Sequence, residues 1–254
     1  MILRRLSDNL KTQNWTTIAI ELAIVILGVF IGSWVNDWSR GRAADRETRE
    51  LLVELRPEME HQHQVMAAIR AYFATTGHYA DTAFAGWRRD PRVSDSQFVT
   101  AAYQASQVYG VSSNGQTWAT IFGGDQLRRI RDPAIRSPLQ RLMTYDYSQL
   151  SYDRVATPYR ANVRLLVPNA IQQQIRHACG DRLTHDGQYL MLPPTCPVVI
   201  QATAAASTAA VLRAHPELVG QLAQHQAAVA TQLINVDLLE SQIQALDHAL
   251  ARLG

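Results

Sequence analysis

From Thr16 to Asn36 the chain reads TTIAIELAIVILGVFIGSWVN, an apolar run with one charge, Glu21. About 20 such residues, rising about 1.5 Å each as a helix, cross a hydrocarbon layer of about 30 Å. Trp15 precedes the run, and Trp34 and Trp38 stand at its far end. Indole rings at both ends form an interfacial belt. The pattern predicts a transmembrane helix over 15–38. A cleavable signal peptide has a shorter apolar region and a small-residue cleavage site, which GSWVNDW does not supply. The competing reading is a buried helix of a soluble core.

The rest of the chain is long enough to fold beside such a span. Of 254 residues, 47% are hydrophobic and 18% charged, which supports a packed core and excludes disorder. The formal net charge of +2 gives a nucleic-acid partner no bulk electrostatic support. Arg4, Arg5 and Lys11 precede the span; Arg40, Arg42, Arg46 and Arg49 follow it. These near-equal counts do not fix orientation by the positive-inside rule.

The two cysteines bear on orientation. Cys179 and Cys196 flank RLTH-DG-QYLML, in which Asp186-Gly187 between β-formers is a strong hairpin signal. With those two residues at the turn, Cys179 would face Pro194, two residues from Cys196. Bridging them closes a loop of about 18 residues, a contribution on the order of 3 kcal/mol. A persistent disulfide implies an oxidising compartment. Residues 1–14 are then a cytoplasmic amphipathic segment, and residues 39–254 form a periplasmic domain on a bacterial inner membrane. Two free thiols remain an alternative. So does a zinc site from His177, Cys179, His185 and Cys196, although that spacing lacks the paired C-x2-C of structural zinc sites.

Beyond the span the pattern stays helical. Thr48, Leu52, Leu55, Met59, Gln62, Met66, Ile69 and Phe73 recur at alternating steps of four and three. Pro57 is expected to kink this helix or to start a new one. Leu218, Leu222, His225, Val229, Gln232, Val236, Leu239, Ile243, Leu246, Leu250 and Leu253 keep the same rhythm in a C-terminal helix over 216–253. Gln62, His225 and Gln232 are polar interruptions of the two seams, and an antiparallel pairing would allow Gln62 to lie near Gln232. The two seams either form a coiled coil or face a globular core. Between them, a helix of about fifteen residues is expected from Ser94 or Asp95 to Tyr109, a short one over 117–122, and one from Asp132-Pro133 to about Leu150. Another is expected over 159–177 with a break at Pro168, then a hairpin near 182–192 and an Ala-rich run over 202–212 that is a modest helix or a linker. The fold class is therefore mainly α: one N-terminal transmembrane helix continuing into a helical-bundle or coiled-coil domain with one small β-hairpin.

The N-terminal LRRLSDNLKTQNW, the span AIELAIVILGVFIGSWVNDW and the segment TWATIFGGDQLRRIRDPAIRSPLQRLMTYDYSQL resemble a broad family of uncharacterised bacterial single-pass membrane proteins. The resemblance covers about the first 150 residues, including the Tyr145 and Tyr147 pair. It implies a topology and no activity.

Within the span, Glu21, Gly28 and Gly32 fall on one helix face. Small residues let backbones approach, and a carboxyl on that face can hydrogen-bond across it. A buried charge costs roughly 2–3 kcal/mol or more, which makes Glu21 a candidate for contact with a partner helix. A plain lipid-facing span is the alternative. His61 and His63 beside Glu58 and Glu60 read as a solvated face before a metal site. No H-E-x-x-H, G-x-S-x-G or phosphate-binding loop is present, and no cofactor is expected. The sequence points to a non-catalytic accessory or scaffold subunit of a membrane complex. Its partners would be other transmembrane subunits, or a second copy, within the bilayer. The alternative is a periplasmic sensing or small-ligand-binding module, though only about 14 residues would remain across the membrane for an output.

Overall fold

The computed structural model describes residues 15–110, 126–185 and 187–253. Eight α-helices lie among the described residues. They are α1 (Trp15–Trp87), α2 (Asp95–Gln104), α3 (Gln126–Arg129), α4 (Pro133–Thr144), α5 (Pro158–Leu166), α6 (Asn169–Cys179), α7 (Ala202–Arg213) and α8 (Glu217–Leu250). Strands β1 (Arg182–Leu183) and β2 (Leu190–Met191) form one antiparallel pair. The fold is mainly α with one small hairpin. The chain divides into two units, Met1–Leu52 and Val53–Gly254.

Helix α1 is continuous through Pro57. The expectation that Pro57 starts a new helix is therefore corrected. Proline removes one bond, to the carbonyl of Val53 four residues earlier. Val53 is itself exposed, so water can take that carbonyl.

In the second unit, α1 from Val53 onward and α8 run antiparallel. His63 meets Glu240, Arg70 meets Asp237, and Gly77 lies beside Gln226. Both four-three stripes are buried: Leu55, Met59, Met66, Ile69 and Phe73 on α1, and Leu218 through Leu250 on α8, with Gln62 half-buried. Each fully buried Leu, Ile or Phe contributes roughly 1.5–3 kcal/mol relative to exposure. The expected Gln62–Gln232 pairing does not form. Gln62 donates to Glu58 on its own helix at 2.8 Å, while Gln232 donates to the Leu150 carbonyl at 3.0 Å. The register set by His63–Glu240 and Arg70–Asp237 leaves the two glutamines at different levels of the pair.

The stripe of α8 also covers α4 and α5. The core is thus a globular helical packing and not a two-helix coil alone. Helix α2 is its central element, with every residue from Phe98 to Gln104 buried. It starts at a capping box in which Ser94 and Gln97 bond reciprocally. It ends at Gln104, short of the expected Tyr109. Beyond that point Ser106 and Gln107 close turns onto Tyr103 and Gln104, and the Ser106 carbonyl accepts from Arg160. Close packing against α1 depends on Gly86, where a Cβ would stand 2.5 Å from Phe98 Cγ.

Helix α4 begins at Asp132, whose carboxylate accepts from the Ala134 amide at 2.8 Å. It stops at Thr144 and not near Leu150, because Asp146 caps a new 3-10 turn by accepting from the Ser148 amide. Helices α5 and α6 are separated at Pro168, as expected, and the Ala-rich run from Ala202 forms helix α7. The hairpin register pairs Arg182 with Met191 and Leu183 with Leu190, the register that places 186–187 at its centre. Gly187 has a φ of 73°, which favours glycine. The expected helix over 117–122 lies outside the described residues, as does Asp186.

Candidate functional site

One helix among the described residues is long and apolar enough to cross a membrane. Its best 18-residue window has a mean hydropathy of 1.5 and is 0% buried. Every described side chain from Leu22 to Trp38 is exposed, including Leu27, Val29, Phe30 and Ile31. An apolar surface this continuous is larger than a soluble monomer ordinarily exposes. An exposed stretch of this length suits a hydrocarbon layer, where the helix satisfies its own backbone.

Helical geometry puts Glu21, Gly28 and Gly32 on one face, since seven residues make nearly two turns. The Glu21 side chain and that of Trp15 lie outside the described residues. A Cβ at Gly28 or Gly32 would meet nothing within 4 Å. The face is therefore uncovered within the first unit, and a second backbone can approach it. Trp34 and Trp38 are 68% and 52% exposed. The Arg42 guanidinium lies 4.0 Å from the centroid of the Trp38 ring, one helical turn away. That stacking gives the end of the apolar run an amphipathic cap of indole and cation.

Cys179 and Cys196 stand at disulfide distance, with Cα atoms 5.1 Å apart, and join the end of α6 to the segment after β2. Cys179 is buried beside Gln104, whose Nε2 donates to its carbonyl at 2.6 Å. Among the described residues no group of three or more His, Cys, Asp or Glu side chains is gathered for a metal. His61 and His63 point to separate partners. Tyr189 Oη lies 3.0 Å from His61 Nδ1, whereas His63 Nδ1 lies 3.6 Å from Glu240.

Two seam interruptions prove to be buried polar anchors. His225 is fully buried, with Nδ1 3.0 Å from Thr157 Oγ1 and its ring 5.9 Å from Tyr159. Burial and the nearby Arg160 charge push its imidazole down to about 4. Gln232 bonds the Leu150 carbonyl from α8. Sequence spacing marked both positions and could not name their partners. It also did not single out Arg70, which bridges Asp237 and Glu240. Nor did it find a cleft of about 290 Å³ between His78, Gln97, Thr100 and Cys196. The buried Thr100 hydroxyl on that cleft has no hydrogen-bond partner among the described residues.

Comparison with family models, with curated proteins and with solved structures finds no match for this chain.

Proposed function

We propose that this chain is a membrane-anchored, non-catalytic accessory subunit. Its N-terminal helix docks beside another transmembrane helix through Glu21, Gly28 and Gly32. Its helical domain braces partner proteins on the periplasmic side of a bacterial inner membrane. The observation that carries this reading is the exposed, predominantly apolar surface from Leu22 to Val35, with two glycines one turn apart. Small residues at that spacing permit close helix packing in lipid, where a carboxyl on the same face gains an interhelical hydrogen bond. The Trp34, Trp38 and Arg42 group fits the headgroup boundary. The cysteine pair at disulfide distance fits an oxidising compartment and hence the periplasmic orientation.

Purification of the full chain in mild detergent, followed by sizing and mass spectrometry, tests this reading. Stoichiometric membrane subunits, or a second copy, are expected. Gly28→Ile and Gly32→Ile place a branched side chain where backbones meet and should reduce that recovery. Glu21→Leu should insert at least as well yet recover less partner, through loss of a bond of about 0.6–2 kcal/mol. Full partner recovery by all three variants would mean that the span is only an anchor.

A second reading rests on the cleft beside Cys196. Its size and its lining by His78, Gln97 and Thr100 favour a small polar ligand and a sensing role. A lone monomer carrying a bound small molecule would favour it over the first.

A further inference from the structure

Arg160 and Arg164 stand one turn apart on α5, and Arg176 lies on α6. The Arg160 and Arg164 guanidinium groups converge on the chain just beyond α2, and Arg176 reaches Tyr103 in its last turn. Arg160 Nη1 donates to the Ser106 carbonyl at 2.7 Å and to Gln107 Oε1 at 3.3 Å. Arg164 Nη2 donates to the same Gln107 oxygen at 2.7 Å, and its Nε to Ser106 Oγ at 3.3 Å. Two cations thus share one neutral acceptor. Tyr103 ties in the third: Arg164 stacks on its ring at 4.7 Å, and Arg176 Nη1 donates to its hydroxyl at 3.2 Å. The remaining acceptors, Tyr152 Oη for Arg160 and Gln172 Oε1 for Arg176, are also neutral.

This arrangement differs from the ion-paired arginines of the same unit. Arg70, Arg92 and Arg213 each meet a carboxylate. Among the described residues none of Arg160, Arg164 and Arg176 has an acid within ion-pairing distance. Asp181, the acid linked to this region through Tyr72, accepts from the Tyr72 hydroxyl at 2.7 Å. The C-terminal end of α2 offers only about half a negative charge, too little to balance three cations. Like charges one turn apart repel. Burial, together with the charges of Arg160 and Arg176, pushes the Arg164 guanidinium below its ordinary value. Each group also keeps a terminal nitrogen with no acceptor among the described residues: Nη2 of Arg160, Nη1 of Arg164 and Nη2 of Arg176.

We propose that Arg160, Arg164 and Arg176 form a binding site for the phosphate-type oxyanion of a small soluble molecule. A doubly charged tetrahedral group accepts from several guanidinium nitrogens at once and supplies the missing negative charge. Neutral hydroxyl and amide oxygens hold the three cations in place while it is absent. The site is independent of the membrane-docking reading.

The test titrates the full-length chain in detergent with inorganic phosphate at constant ionic strength, balanced with chloride. The unfolding midpoint and the phosphorus-31 line width are followed. Saturable stabilisation is expected, and Arg164→Gln should weaken the apparent affinity by about tenfold or more. Arg176 is exposed, so Arg176→Gln should fold normally and weaken binding in the same direction even if Arg164→Gln does not fold. Arg92→Gln, far along the chain and paired with Asp90, serves as a control that leaves binding unchanged. Stabilisation matched by chloride, no saturation, or binding indifferent to Arg176→Gln would overturn the proposal.

Discussion

Arg70 on α1 donates from Nε and Nη2 to one carboxylate oxygen of Asp237 on α8, at 3.1 and 2.6 Å. Glu240, one turn further along α8, meets the same guanidinium through Nη1. A fork of donors facing two carboxylates fixes the register of the antiparallel helices as well as their attraction. It is also the reason that Gln62 and Gln232 stay apart.

Replacing Arg70 by Leu should lower stability by about 1 kcal/mol, because the network is partly solvated and Asp237 is mostly exposed. Urea unfolding of the detergent-solubilised chain at low and high salt checks this. The deficit should shrink at high salt, since screening weakens the pair in the parent protein.

Acid should destabilise the domain through His225. Its folded-state value of about 4 lies below the ordinary histidine value, so the neutral form belongs to the folded state. The resulting stability is present above about pH 6.5 and is lost as pH falls toward about 4, up to on the order of 3 kcal/mol. Thr157, Tyr159 and Arg160 surround the ring, and none supplies a carboxylate to hold the charged form. A His225→Gln variant, compared with the parent by urea unfolding at pH 7 and pH 4.5, should show a smaller loss on acidification. An equal loss would place the acid sensitivity elsewhere.

Cys179 and Cys196 should be linked in the protein isolated without reductant. Reduction should cost on the order of 3 kcal/mol, from reopening a loop of about 18 residues. For a domain of this size that corresponds to roughly 6–12 °C in Tm. Non-reducing peptide mapping and thermal unfolding with and without reductant check the two parts. Two freely alkylated thiols would remove the argument for an oxidising compartment.

Periodic elements were legible in the sequence, and long-range polar partners were not. Leu218 through Leu250 repeat along one helix, and burial of that stripe follows from spacing alone. The hairpin register followed from Asp186-Gly187, whose turn chemistry is local. Helix α2 was placed by its Ser94 cap but misjudged in length. Its Ala, Tyr and Gln residues are buried on all sides and leave no periodic edge to mark where it stops. Nothing in the local sequence singles out Arg160 and Arg164, which stand one turn apart on α5. Only the fold brings Ser106 and Gln107 beneath them, across more than fifty residues of chain. His225 and Gln232 stood out as polar residues in an apolar seam, but their partners Thr157 and Leu150 belong to other elements.

The central claim is that the exposed apolar helix from Leu22 to Trp38 lies in a bilayer. Alkaline carbonate extraction of membranes from cells making the full chain tests it most directly. An integral span resists extraction, so the chain should stay in the membrane pellet and be released only by detergent. Release of the chain into the carbonate supernatant, or its recovery in the soluble fraction of lysed cells, would contradict the account.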